Sequence, residues 1–330
     1  MTTTYTIPKY TEQVIPKKMN LFKSLTLFAL ILGGFWLSQW GVNFIDSRFS
    51  SLPNSSDELH LFLKWTWILG LAIINAVLAM GLGILGHEAA HKGLFKNPLW
   101  NDFCGGIFIS FLLIPFYSFK EFHLTHHSYT HIPGKDPEEP VNNHSAFFAL
   151  TIGPLIGLGI HYKTVGEYLL SNNQKIRGQG LKDVGFISWI FIFYFYLVPL
   201  THLSLTYTVF PLLVFLPFVF MVRNVCEHHG IPAQTVNNSK SELKVDSWMI
   251  LGNPVMDWLW SNSNYHQVHH RYPYLHYRYL PEVFTVTKNE QPYIVINGYL
   301  VAVFRALSQK YYGRDTDIQG VSLSNSKVQS

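Results

Sequence analysis

The sequence predicts an all-α integral membrane protein, with four transmembrane helices, additional interfacial helices and a histidine-rich cap on one side of the bilayer. Three observations carry this. Of the 330 residues, 48% are hydrophobic, 16% aromatic and only 13% charged, about half the usual charged share of a soluble domain. Four apolar runs are long enough to cross or nearly cross a bilayer. The histidines gather at the ends of those runs and in the polar segments on the same side of them.

In chain order, residues 1–20 are polar, carry Lys9, Lys17 and Lys18, and read as a mobile cytoplasmic arm. The run from about Leu25 to Ile45 is a first span, too long for a signal peptide and without a small-residue cleavage site. A turn around Pro53-Asn54-Ser55-Ser56 precedes a second span, about Leu63 to Gly86, which delivers His87 at its end. Gly81, Gly83 and Gly86 just before it read as close helix packing. Phe103–Phe119 is apolar, but it contains Gly105-Gly106 and Pro115. If it crossed, His91 and His123 would lie on opposite faces of the membrane, so it reads as re-entrant or interfacial. Ala146–Ile160 reads as interfacial too. Two more spans follow, about Val184–Pro199 and Leu203–Val222. Residues 21–314 thus form one membrane domain, and 315–330 a polar, disordered tail. With four spans, only Arg48 and, at a span edge, Lys64 of the 24 lysines and arginines fall on the far side. That asymmetry places the termini and the histidines in the cytoplasm.

The net charge of +4 without a basic run gives no reason to expect nucleic acid. Cys104 and Cys226 make neither a disulfide framework nor a CxxC site. The histidines are the chemistry of the chain. His123-Leu124-Thr125-His126-His127 recurs as His266-Gln267-Val268-His269-His270, and His87-Glu88-Ala89-Ala90-His91 precedes both. On a helix, steps of three and four residues share a face. One histidine pair is ordinarily a surface or core feature, but two HxxHH copies with an HxxxH and His228-His229, all beside apolar runs, point to metal. His87, His91, His123, His126, His127, His228, His266, His269 and His270 make nine donors. A single zinc takes three or four, so nine suggest two metals. Imidazole suits iron and zinc alike. Iron fits better beside a lipid substrate, because unactivated C–H bonds demand a redox metal and O2. The rival is a zinc protease with Glu88 of HExxH as general base and Asp257 of Asn253-Pro254-Val255-Met256-Asp257 as a further ligand. It leaves both HxxHH boxes without a role.

These three boxes, the last as Asn264-Tyr265-His266-x-x-His269-His270, resemble those of the membrane fatty acid desaturase/hydroxylase superfamily, over roughly Gly86 to Leu280. The resemblance implies two Fe ions (Fe2+/Fe3+) held on the cytoplasmic side of a four-span bundle, with O2 as co-substrate. It also implies an apolar lipid substrate and an external electron donor of ferredoxin, cytochrome b5 or rubredoxin type. In that family an extra histidine follows, by four residues, an asparagine that holds a metal-bound water. Asn224 and His228 match that spacing, with His229 a possible substitute. The flanks of the second and third boxes are similar to acyl-lipid desaturases and equally to carotenoid hydroxylases and ketolases. The expected reaction is acyl desaturation, with hydroxylation or ketolation of a carotenoid or other lipid as the alternative. Among the remaining polar residues, Glu227 and Asp257 are expected to orient imidazoles, with weaker claims for Glu88 and Glu121. His131 is expected to lie beside the metals or at the surface, His144, His161 and His276 at the interface, and His60 and His202 far from the site.

Overall fold

The computed structural model describes residues 13–51, 56–231, 245–289, 291 and 293–308. Helices α1 (Lys17–Ser50) and α2 (Asp57–Ala90) form an antiparallel pair of 34 residues each. At 1.5 Å per residue each is about 50 Å long, well beyond a hydrocarbon core of about 30 Å. The last turns of α2, with His87, therefore emerge from the apolar layer. The Ser56 hydroxyl accepts from Leu59 N at 3.4 Å to start α2, with Asp57 and Glu58 in the first turn, where the helix dipole favours acids. Every position from Leu78 to Ala90 is buried, because α2 is the axis against which α1, α3 and α10 pack.

Helices α3 (Pro98–Ser110) and α4 (Phe116–Tyr129) occupy the apolar stretch expected to be re-entrant. The chain turns between them at Leu113, whose φ is +58°, and at Pro115, which cannot donate into the helix it begins. Gly86 makes the approach of α2 to α3 possible, since a Cβ there would lie 2.8 Å from Ile109 N. Gly83 faces the Leu112 side chain instead. Helix α4 has no side-chain cap of its own. Its first amides are met from another element: Tyr117 N and Ser118 N donate to the two carboxylate oxygens of Asp183, at 2.7 and 3.1 Å.

Helices α5 (Glu139–Asn142), α6 (Ala146–Thr151) and α7 (Gly153–Leu170) follow. The expected interfacial segment is split at Ile152 and continues to Leu170. Helix α8 (Gln174–Ile192), a π-helical turn at Phe193–Leu197 and α9 (Val198–Leu200) make the third span. It begins ten residues before the apolar run, capped by the Asn173 side chain. Helix α10 (Val209–His228) is the fourth span, with Pro217 inside it. It starts after Leu203 because residues 201–208 form turns, tied to α1 by Ser204 N donating to Gln39 Oε1 at 2.9 Å. These four segments are long and apolar enough to cross a membrane, and their outer faces expose Leu25, Trp36, Leu69, Ile74, Phe191 and Val214.

Strand β1 (Met249–Leu251) pairs in parallel with β2 (Val295–Asn297), Ile250 opposite Ile296. Between them lie α11 (Pro254–Leu259), α12 (His266–Arg271), a 3-10 turn at Tyr277–Tyr279 and α13 (Leu280–Thr287); α14 (Tyr299–Ser308) follows. The arm expected to be mobile is docked over residues 13–20. Gln13 accepts from His276 N at 2.7 Å, and Asn20 donates to Leu94 O at 3.0 Å while accepting from Tyr277 Oη at 2.8 Å. That segment therefore ties the chain after the first histidine box to the chain after the third. The expected tail at 315–330 lies outside the described residues.

Asp183 is wholly buried, and its removal strands two buried amides. D183A is expected to lower stability by roughly 2–4 kcal/mol, at about 1–3 kcal/mol for each unsatisfied donor with partial relaxation. D183N, which keeps one acceptor, should fall between. Thermal unfolding in detergent checks this, and equal melting of all three proteins would contradict it.

Candidate metal centre

All nine histidines singled out in the sequence meet on one side of the bundle. His87 ends α2 and His91 caps it; His123, His126 and His127 come from α4; His228 ends α10; His266, His269 and His270 come from α12. They divide into two sets. His87, His91, His123, His127 and His269 have ligating nitrogens within 4.8 Å of one another. His126, His228 and His270 form the other set, and His266 joins it through a 2.7 Å Nε2–Nε2 approach to His228. The sets abut, with the His127 and His270 ring centres 4.3 Å apart.

The contacts inside the first set are informative. His123 Nε2 lies 2.9 Å from both His91 Nε2 and His127 Nε2, and His127 Nε2 lies 3.1 Å from His269 Nε2. An imidazole nitrogen has one in-plane valence, used either by a proton or by a lone pair. It cannot satisfy two such neighbours by hydrogen bonding. A cation can, and two imidazoles each at about 2.0–2.1 Å from one ion stand about 3 Å apart. In the second set, His126 Nε2 and His270 Nε2 are buried without a hydrogen-bond partner among the described residues. The donors fit a pair of metal ions.

The backs of the rings are held by carboxylates, the arrangement that fixes tautomer and orientation in metal sites. His126 Nδ1 is 2.9 Å from Asp136 Oδ1, His266 Nδ1 is 3.4 Å from Glu227 Oε2, and His270 Nδ1 is 3.6 Å from Asp246 Oδ2. Arg223 pins Glu227 at 2.9 Å. Glu88 Oε1 lies 3.3 Å from His87 Nδ1, behind the ring. Asn224 donates to Glu138 Oε2 at 2.9 Å and leaves its buried Oδ1 without a partner among the described residues. A cavity joins these groups to apolar walls. His87, His123, His228, His266 and Asn224 line it beside Gly83, Ile84, Leu112, Phe119 and Phe220.

The profile of one protein family, described as Fatty acid desaturase, matches residues 64–297, well over half of the chain. The chain belongs to the fatty acid desaturase family. A Delta(12) fatty acid desaturase of Caenorhabditis elegans is 33% identical over 92 residues, 26% of this chain and 24% of that protein. An oleate hydroxylase of Claviceps purpurea is 34% identical over 55 residues, 17% of this chain and 12% of that one. An acyl-lipid (9+3)-(E)-desaturase of Dimorphotheca sinuata is 27% identical over 142 residues, 41% and 34% of the two chains. The chain thus spans about a third or less of the length of these relatives.

Several neighbours differ from expectation in this family member, though His131, expected beside the metals or at the surface, does not. Asp257 accepts from Asn264 Nδ2 at 2.9 Å, with no imidazole among its described partners, while Asn253 caps α11 through Val255 N and Met256 N. The Asn253–Asp257 motif is thus a capped turn. Glu121 bonds the Tyr168 hydroxyl. His131 lies outside both sets, its Nε2 3.0 Å from Asp246 O. His229 also lies outside them, buried with neither ring nitrogen partnered among the described residues. His161 and His276 are buried inside the protein rather than at an interface, whereas His144 is exposed. Asp136 and Asp246 were missed. For Asp136 a signal existed, its position just after the second box; Asp246 sits 24 residues before His270 with no local pattern to mark it.

Burial, reinforced by the neighbouring imidazoles, holds His123, His127, His266 and His269 well below the usual 6.5. Burial takes His91 down to about 3. His126 goes the other way: burial pulls it down, but Glu138 and Asp136 outweigh that and raise it to about 9. For the five depressed groups the unfolded chain binds more protons below 6.5, so their contribution to stability is complete above that pH and lost as pH falls through it. His126 opposes them, stabilising below 6.5 and losing that contribution as pH rises towards 9. Five groups outweigh one. Metal-free protein is therefore expected to melt progressively lower as pH drops from 7 to 5, in thermal scans in detergent. A melting temperature that rises over that interval would contradict the neutral, buried cluster.

Proposed function

We propose that this chain is an O2-dependent diiron oxidoreductase that introduces a double bond into a fatty-acyl chain. The observation that carries the reading is the convergence of nine imidazoles, in sets of five and four, of which His87, His123, His228 and His266 line a cavity with an apolar side. His87, His91, His123, His127 and His269 would hold one iron, and His126, His228, His266 and His270 the other. When bound, the irons supply the chemistry that activates O2 and breaks an unactivated C–H bond. Desaturation takes two hydrogen atoms from the lipid; with two electrons from an external donor and two protons, O2 leaves as two waters.

The residues of the chain divide the remaining work. Leu112, Phe119 and Phe220 give the acyl chain a dry path to the histidines. Asp136, Glu227 and Asp246 keep the Nδ1 edges of their imidazoles occupied, so that Nε2 faces the metal. Asn224, held by Glu138, would hold a water with its Oδ1. The similarity to an oleate hydroxylase favours a second reading, lipid hydroxylation, which the same cavity would support with one oxygen atom transferred to the chain. The positive-inside asymmetry orients the site and both termini to the cytoplasm, where a ferredoxin, cytochrome b5 or rubredoxin type of donor is available.

The test is the product formed by iron-loaded enzyme from saturated acyl lipid, O2 and a reduced carrier. H123A, H126A, H228A and H270A are each expected to abolish turnover, because no neighbouring group replaces the lost nitrogen. H202A should keep it. E88Q should keep measurable oxidation, since Glu88 lies behind His87. Loss of activity in E88Q equal to that in H87A, together with peptide cleavage by the parent enzyme, would replace this reading with the zinc protease. For the orientation, reporter tags at residues 10, 236 and 325 are expected on the cytoplasmic side and one at residue 54 on the other. A cytoplasmic signal at residue 54 would overturn it.

A further inference from the structure

A second cavity adjoins the histidine-lined one and shares Leu112 and Phe220 with it. Its walls include Ile114, Leu158, Leu216 and Pro217, and among the residues that line it His161 alone carries a polar side chain. His161 belongs to α7 and is 4% exposed. A buried imidazole in an apolar wall is costly unless its nitrogens are used. One is used: Nδ1 lies 3.1 Å from Ser118 Oγ. No partner among the described residues meets Nε2.

The Ser118 hydroxyl settles what Nε2 can do. It has one proton and two acceptors in reach, the His161 carbonyl oxygen at 3.1 Å and His161 Nδ1 at 3.1 Å. Both contacts are satisfied together in one arrangement only. The hydroxyl donates to the carbonyl, and Nδ1–H donates to the hydroxyl oxygen. Nε2 then carries a lone pair and no proton, so it is an acceptor that a hydroxyl suits and a carbonyl oxygen or ether does not. Burial also pushes His161 down to about 4, which keeps the ring neutral.

Distance connects this acceptor to the reaction. The His161 ring is 6.2 Å from Phe119, and Phe119 stacks 5.3 Å from His123, so His161 lies within 11.5 Å of a metal-site imidazole. Small-molecule sites of this kind are mostly apolar, with a few placed polar groups that fix orientation. We propose that the second cavity holds the part of the lipid substrate that bears a free hydroxyl group, and that His161 is the residue that selects it by accepting the hydroxyl proton at Nε2. The inference rests on the reading above that the histidine-lined cavity receives the reacting chain. It makes the substrate an alcohol-bearing lipid, with the reacting carbons on the far side of Leu112 and Phe220 from the hydroxyl.

Equilibrium binding tests this without turnover. Radiolabelled octadecanol and its methyl ether, the same chain without the donor, are bound to metal-loaded, unreduced enzyme in detergent. The parent enzyme is expected to bind the alcohol at least about tenfold more tightly than the ether, a factor worth about 1.4 kcal/mol. H161F, similar in volume but without an acceptor, should bind both with the weaker affinity while retaining its metal. Equal binding of alcohol and ether by the parent enzyme would overturn the inference, and that comparison needs no variant. A preference that survives in H161F would overturn it as well. An enzyme that binds the alcohol preferentially but oxidises no lipid would leave the cavity assignment standing and remove the reaction proposed for it.

Discussion

Nine imidazoles brought together with their nitrogens facing inward are mutually incompatible without a cation. Each lone pair meets other lone pairs, and protons cannot bridge them all. In the first set, His123 Nε2 has two nitrogen neighbours at 2.9 Å. Much of the surrounding structure makes sense as what keeps this arrangement from relaxing. The length of α2 beyond the apolar layer, the polar last turn of α10, the hairpin of α3 and α4, and the docked arm before α1 all converge on holding four separate segments at fixed distances.

The rigidity has identifiable sources. Gly86 lets α2 lie against the α3 backbone at Ile109. Asp183, from the third span, fixes the first turn of α4 and with it the rotation of His123, His126 and His127. The third box sits on a helix of only six residues, too short to hold its own shape. It is instead tied from outside: Trp248 N donates to Glu227 O at 2.7 Å, Asn264 Nδ2 to Ile250 O at 2.8 Å, and Ile294 N to Gln267 Oε1 at 3.0 Å. Metal binding and folding are coupled in such a site, since the ligands must be neutral and must be held before the ion arrives.

What was legible in the sequence follows from locality. The boxes repeat within five residues, and charges bracket apolar runs, so the clustering of the box histidines and the number of spans could be read directly, while His228 was marked only by its spacing from Asn224. The turn between α3 and α4 was legible only through a constraint, that His91 and His123 must share a side. Span edges at Gln174 and Val209 were not, because hydropathy marks the lipid layer and not where a helix begins. Partners that meet across the fold left little trace. Asp246 reaches His270 and Asp183 caps α4 through tertiary packing alone, while Asp257, close to the third box in sequence, serves Asn264 instead. His161 reads as interfacial from its short apolar helix, and its burial depends on α4 lying against that helix.

The central claim, two metals in one site split five to four, is tested most directly by metal stoichiometry after anaerobic iron reconstitution. The intact protein is expected to bind two irons per chain. A variant carrying both H126A and H270A, which strips the four-histidine set, should keep one. One iron per chain in the intact protein, under all loading conditions, would contradict the account.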